Sequence, residues 1–106
     1  MRAIGPCALT ALSLGCGNPA CDALAQGTSN ESAQGQPCGL KRLVITHDEC
    51  PDWLWGCTRS DHEKMQAYGE CLSQLPTCSP QTLEQWTARE YACGLKVSEV
   101  SQSCGS

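Results

Sequence analysis

Large apolar side chains are scarce in this sequence. It contains no phenylalanine, and three tryptophans and two tyrosines are spread over 106 residues. A core with so little apolar bulk seldom supplies more than about 3–5 kcal/mol of stability. The longest mostly apolar stretch, residues 3–15, is also shorter than the roughly 20 residues that a membrane-spanning helix needs. A fold of this composition therefore requires another source of stability.

Positive charge is scarce as well. Seven basic residues stand against eleven acidic ones, the net charge is −4 at pH 7, and Lys41-Arg42 is the only adjacent basic pair. Binding to DNA or RNA requires a basic patch that neutralises phosphates. The composition therefore argues against a nucleic-acid partner.

Motifs for metal, haem or catalysis are missing. No CxxC pair, CxxCH, phosphate loop, calcium loop or nucleophile elbow occurs. His47-Asp48-Glu49 offers an imidazole beside two carboxylates, and His62-Glu63 begins like HExxH but has no second histidine. Polar residues of this kind are more often simply solvated. We predict no catalytic residues, no metal site and no cofactor, and a small hydrolase is the least favoured function.

Cysteine is what the sequence has in excess, with ten among 106 residues. This density is typical of small domains held together by disulfides. Disulfides persist only in oxidising compartments. The sequence therefore predicts an extracytoplasmic protein, at the outer membrane or cell surface or secreted.

The first residues resemble a bacterial export signal. Residues 1–15 contain an apolar stretch of signal-peptide length after Arg2. Ser13-Leu14-Gly15-Cys16 then resembles a lipobox in which Leu and Ser are exchanged. The chain is thus similar to small Cys-rich bacterial lipoproteins. That resemblance implies cleavage before Cys16, a lipid on its thiol, and a membrane partner reached through the lipid.

A second cleavage site competes with the lipobox. Ala23-Leu24-Ala25 is an A-x-A site that would release a protein starting at Gln26. Cleavage before Cys16 leaves an even eight cysteines for disulfides, whereas cleavage after Ala25 leaves seven. Because an unpaired thiol is disfavoured in an oxidising compartment, the lipoprotein interpretation is favoured.

The segment after the leader is predicted to be a linker. Residues 25–37 contain no large apolar side chain and are rich in Gly, Ser, Gln and Asn. Such a composition cannot offset the entropy of ordering the chain. We therefore assign residues 16–37 to the lipidated cysteine and a flexible linker, and residues 38–106 to a disulfide-stapled helical domain.

The pattern after residue 60 predicts an antiparallel helical hairpin. Ser60 and Glu63 form an S-x-x-E capping box, and apolar residues then recur at spacings of three and four up to residue 75. Ser79 and Pro80 begin the second helix, which Gly94 ends. The predicted fold class is all-α, small and disulfide-rich, with an irregular N-terminal segment in which residues 40–46 are extended or form one short strand.

The spacing of the cysteines predicts their pairing in that hairpin. Spacers of 13 and 14 residues put one cysteine near each end of both helices, so antiparallel packing predicts Cys57–Cys93 and Cys71–Cys78. The geometry is similar to coiled-coil-helix modules with twin CX9C repeats, but the spacers differ and their function is not carried over. Elimination leaves Cys50–Cys104 and Cys21–Cys38, among 105 possible connectivities for eight cysteines.

Trp53-Leu54-Trp55 is the most suggestive candidate for binding. Two tryptophans in one short loop can form an aromatic platform for a sugar, a lipid or a protein. In a domain short of apolar bulk we expect at least one of them to fill the core instead. The sequence favours a non-catalytic, lipid-anchored interaction module with an unknown protein or glycan partner. The alternative is a soluble secreted effector or inhibitor that presents Trp53 and Trp55.

Overall fold

A computed structural model describes residues 18–105, and over these residues the fold is helical without strands. The predicted all-α, disulfide-rich class is confirmed. The helices are α1 (Pro19–Gly35), α2 (Cys50–Trp53), α3 (Arg59–Leu72) and α4 (Leu83–Gly94), with 3₁₀ turns at Gln36–Cys38 and Leu95–Val97. Residues 40–46 have no regular secondary structure and do not form the predicted short strand. Within residues 18–105, no helix combines the length and hydropathy needed to cross a bilayer.

The predicted flexible linker is wrong, because most of residues 16–37 form α1. The side chain of Asn18 caps this helix by accepting hydrogen bonds from the backbone N–H of Ala20 (3.0 Å) and Cys21 (3.2 Å). One face of α1, at a helical spacing of three and four residues, is buried and carries Ala20, Leu24, Thr28 and Glu31. The composition of residues 25–37 was misleading because this part of α1 is buried through small and polar residues rather than large apolar ones.

Glycine lets α1 and α3 approach to backbone contact. A Cβ on Gly27 would lie 2.9 Å from the Cα of Gly69, and a Cβ on Gly69 would lie 2.7 Å from the backbone N of Leu24. Real Cβ atoms essentially never lie closer than 3.0 Å to such neighbours. The two helices run parallel, since Asn30 near the end of α1 donates to the carbonyls of Leu72 (2.9 Å) and Leu75 (3.1 Å).

The predicted caps are displaced by two to three residues. Thr58 and Asp61 form the capping box of α3, in place of Ser60 and Glu63. The second helix begins at Leu83 after Thr82, not at Pro80. Gly94 has a right-handed φ of −61° and continues into a 3₁₀ turn, so it is not the predicted left-handed terminator.

All eight cysteines of residues 18–105 are in disulfides, as predicted, but the predicted pairing is wrong. Cys57–Cys93, Cys71–Cys78, Cys50–Cys104 and Cys21–Cys38 do not form. The observed bonds are Cys21–Cys50, Cys38–Cys78, Cys57–Cys104 and Cys71–Cys93.

The register of the hairpin explains the pairing. α3 and α4 are antiparallel, because Trp86 bonds to Pro76 beyond the end of α3 whereas Cys93 reaches back to Cys71. Residues 73–82 carry the chain past the end of α3 before α4 returns. The last turn of α4 therefore lies beside the last turn of α3, which brings Cys93 to Cys71. The chain then follows α3 back to its start, where Cys104 meets Cys57.

Two apolar clusters result from this arrangement. The first lies between α1, α2 and residue 45, and the second surrounds Trp86, which is 1% exposed and donates its indole N–H to the carbonyl of Pro76 (2.6 Å). Tyr68 packs against both clusters. The four disulfides connect the segments around these clusters.

Candidate functional site

We expected at least one of the two tryptophans in residues 53–55 to fill the core, but neither does. Pro51 occupies the first turn of α2, and Trp53 ends this single helical turn. Leu54 is the residue that enters the core, at 6% exposed, whereas Trp53 is 44% exposed and Trp55 is 70% exposed. A helical turn replaces the extended conformation in which alternation would have aligned the two indoles. Both remain predicted binding residues.

Trp53 forms part of the wall of an apolar pocket of about 350 Å³. The pocket lies between α1, α3, the irregular segment of residues 40–46 and the 3₁₀ turn after α4. Its apolar wall consists mainly of Leu24, Ile45, Trp53, Met65, Tyr68 and Val97. An engineered apolar cavity of about 150 Å³ holds a benzene molecule, so this pocket has room for a ring with a short substituent.

A buried carboxyl group interrupts this apolar wall. Glu31 lines the pocket and is only 7% exposed. Burial, followed by a hydrogen bond to Glu90 and the negative charge of Glu90, raises the pKa of Glu31 to about 8. Arg42 opposes this shift. At neutral pH the Glu31 carboxyl therefore holds a proton and is able to donate a hydrogen bond.

Glu90 takes the negative charge of this pair. Arg42 donates to it twice, from Nε to Oε2 at 2.6 Å and from Nη2 to Oε1 at 3.0 Å. Burial favours a raised pKa for Glu90, but hydrogen bonds from Arg42 and Glu31 outweigh it and hold the pKa of Glu90 below its usual range.

Four segments of the fold each contribute one side chain to a group that we call the acidic cluster. Glu31 comes from α1, Arg42 from the irregular segment of residues 40–46 and Glu90 from α4, and Tyr68 faces them from α3. Burial, together with the charges of Glu31 and Glu90, raises the pKa of the Tyr68 hydroxyl. The tertiary structure thus assembles groups that are up to 59 positions apart, from Glu31 to Glu90.

The histidines lie outside this pocket. His47 Nε2 contacts Asp22 Oδ1 at 2.9 Å on an exposed surface, and Glu49 accepts instead from Thr46. Among the described residues, Asp22 is the only carboxylate that shares the shallow depression beside His47. His47, Asp48 and Glu49 are therefore not brought together as a general-base site.

A second group of potential ligand atoms is already engaged. Cys57, Asp61 and Cys104 place their ligand atoms within 4.8 Å of one another. Both sulfur atoms belong to one disulfide, and the Asp61 carboxylate accepts from Thr58 N, Ser101 N and Ser101 Oγ. These hydrogen bonds hold the pKa of Asp61 well below its usual range, with Ser101 as the largest cause. The group ties the C-terminal tail to α3.

Sequence reasoning missed most of the pocket. Glu31 lies in the predicted linker, and Arg42 enters the sequence analysis only as part of the basic pair Lys41-Arg42. The available signal was the spacing of Leu24, Thr28 and Glu31 on one face of a helix that starts at a good N-cap residue. Comparisons with protein families, with curated proteins and with solved structures find no match to this chain.

Proposed function

We propose that the protein is a non-catalytic, extracytoplasmic binding module that holds a small, mainly apolar molecule in the pocket beside Trp53. The observation that carries this proposal is the combination of a 350 Å³ apolar pocket with a few convergent polar groups and a carboxyl of strongly raised pKa. Such a combination is the usual signature of a small-molecule site. A glycan would need many more polar partners than this wall offers.

The disulfides support a pocket that exists before a ligand arrives. Cys21–Cys50 ties α2, which carries Trp53, to α1, which carries Leu24 and Glu31. The segment around Val97 is held against α3 by one disulfide on each side, Cys71–Cys93 before it and Cys57–Cys104 after it. A preorganised site avoids the entropy cost of ordering its walls on binding.

Four disulfides also support an extracytoplasmic location. The lipid-anchored form of this module is the favoured one, although Cys16 lies outside the described residues. α1 begins at Pro19, so a lipid on Cys16 would hold the domain directly at the membrane surface without the predicted tether.

Cleavage after Ala25 conflicts with the fold. It would remove Cys21, the partner of Cys50, and Leu24, which is 1% exposed in the core. Processing further upstream preserves both. Mass spectrometry of the intact mature protein tests this point: an acylated Cys16 supports the anchored form, and a chain starting at Gln26 contradicts it.

A protein-binding role for the tryptophans is the second candidate. Trp55 is 70% exposed and does not line the pocket. A secreted effector or inhibitor that presents both indoles to a protein would use Trp55 at least as much as Trp53. Substituting each tryptophan in turn therefore distinguishes the two candidate functions.

The test compares Trp53→Ala with Trp55→Ala as a matched control. Nuclear magnetic resonance spectra of the full chain are recorded during titration with 2-phenylethanol, a neutral probe that fits the volume of the pocket. We expect shifts at Met65, Tyr68 and Val97, loss of binding in Trp53→Ala, and unchanged binding in Trp55→Ala. Shifts that avoid the pocket, or equal losses in both variants, contradict the pocket proposal. Circular dichroism verifies that both variants are folded.

A further inference from the structure

We infer that the ligand of this pocket is a small apolar amine, whose ammonium group is received by the carboxylate of Glu31. This inference rests on the proposed function, because it names the chemical class of the molecule that the pocket beside Trp53 holds. Three features of the described residues lead to it: the charge balance of Glu31, Glu90 and Arg42, the aromatic walls of the pocket, and the exchangeable proton of Glu31.

The charge balance leaves room for one more cation. Two carboxyl groups, Glu31 and Glu90, share a single guanidinium, and Nε and Nη2 of Arg42 are already bonded to Glu90. The cluster is neutral only while Glu31 keeps its proton. A ligand cation beside Glu31 would supply the missing positive charge, and a charge-assisted hydrogen bond in a pocket wall is stronger than a neutral one.

An anion fits the same cluster poorly. Arg42 lines the pocket, but Glu90 occupies its fork, so an incoming carboxylate would have to displace Glu90 from that pair. The protein as a whole also carries a net charge of −4, which favours the approach of cations.

The aromatic walls favour a cation with an apolar body. Trp53 and Tyr68 both line the pocket, and the face of an indole or phenol ring attracts an ammonium group. Leu24, Met65 and Val97 provide the apolar surface against which a ring or short chain packs.

Binding of the amine would release a proton. The groups that face the Glu31 carboxyl are Glu90 from α4, Arg42 from the irregular segment of residues 40–46 and Tyr68 from α3. In the free protein the carboxyl of Glu31 is protonated at pH 6.5, because its pKa lies near 8. The ammonium ion enters with its own charge, the O–H bond of Glu31 breaks, the proton passes to buffer, and the carboxylate pairs with the ammonium.

Isothermal titration calorimetry tests this coupling with the full disulfide-bonded chain. The probes are 2-phenylethylamine, 2-phenylethanol and 3-phenylpropanoate, which differ mainly in charge. At pH 6.5 we expect the amine to bind at least about tenfold more tightly than the alcohol. Titrations in two buffers of different ionisation enthalpy should show release of close to one proton, and the release should fall at pH 8.5.

Glu31→Gln is the decisive variant, with Glu84→Gln as its control. Glu84 is exposed on α4 and does not line the pocket, so its substitution should leave all three affinities unchanged. Glu31→Gln should abolish both the preference for the amine over 2-phenylethanol and the proton release.

The outcomes separate this inference from the proposed function. If 2-phenylethanol binds in the pocket but the amine binds no better or releases no proton, the amine inference is overturned and the binding module stands. Tighter binding of 3-phenylpropanoate overturns it as well. If none of the three probes binds, the proposed small-molecule function itself fails.

Discussion

The contact between α1 and α3 leads to a quantitative prediction for Gly69→Ala. A Cβ at this position would lie 2.7 Å from the backbone N of Leu24 and closer still to the carbonyl group of Ala23. Ordinary contacts of a Cβ are 3.4–4 Å, so the two helices would have to separate by roughly 1 Å. Neither neighbour is a flexible side chain that can turn aside.

The expected cost follows from that separation. A gap of about 0.5–1 Å forfeits a quarter to a half of the dispersion energy of each affected contact. Overpacking of this kind costs about 3 kcal/mol, at the upper end of the usual range. Alanine returns about 1 kcal/mol through its higher helix propensity. The net loss for Gly69→Ala is therefore about 2 kcal/mol, which lowers the melting temperature by about 10 °C.

Thermal unfolding under non-reducing conditions, followed by circular dichroism, measures this effect. Gly94→Ala is the matched control, because Gly94 is helical, has φ −61°, and a Cβ there would meet nothing within 4 Å beyond the neighbouring backbone of its own helix. Alanine there should stabilise the protein by about 0.5–1 kcal/mol. If Gly69→Ala is as stable as the wild type, or gains as much as Gly94→Ala, the close contact of α1 and α3 is refuted.

Three further predictions concern the acidic groups and the N-terminal helix. The pKa of Glu31 is raised to about 8, so the folded state keeps a proton that the unfolded chain releases near pH 4.5. Wild-type stability should therefore fall as the pH rises between these values, whereas the stability of Glu31→Gln should change little in denaturant titrations over that range. The pKa of Asp61 is lowered, so its contribution to stability is present above pH 4 and is lost on acidification. Asp61→Asn should therefore melt at a lower temperature than the wild type at pH 7, and this difference in melting temperature should narrow below pH 4. A difference that stays constant with pH would contradict the prediction. A chain starting at Gln26 should leave Cys50 with a free thiol and should no longer unfold cooperatively. Thiol titration and calorimetry measure the two effects, and cooperative unfolding of this shortened chain would show that the first part of α1 is dispensable.

Several properties of this protein follow from the sequence alone. Ten cysteines in a chain poor in large apolar residues indicate a disulfide-held fold, and the periodicity after residue 60 indicates two helices joined as a hairpin. These inferences succeed because composition and helical period are local properties. They need no knowledge of which segments meet.

Helix α1 was not predicted from the sequence, and the reason is physical. Composition rules measure large apolar side chains, but α1 packs through Gly27 against Gly69, where the favourable contact comes from backbone atoms in close approach. Whether a glycine-rich polar segment is a linker or a tightly packed helix depends on a complementary surface elsewhere in the chain. That surface is visible only in the folded protein.

Only the tertiary structure decided the disulfide pairing and the pocket. The sequence determined that eight cysteines pair, but the offset of α4 past the end of α3 selects Cys71–Cys93 over Cys57–Cys93. In the same way, each of Glu31, Arg42 and Glu90 is an ordinary charged residue in its own segment. The protonation of Glu31 is unusual because packing removes water from its carboxyl group and places Glu90 beside it, and burial is a property of the assembled fold.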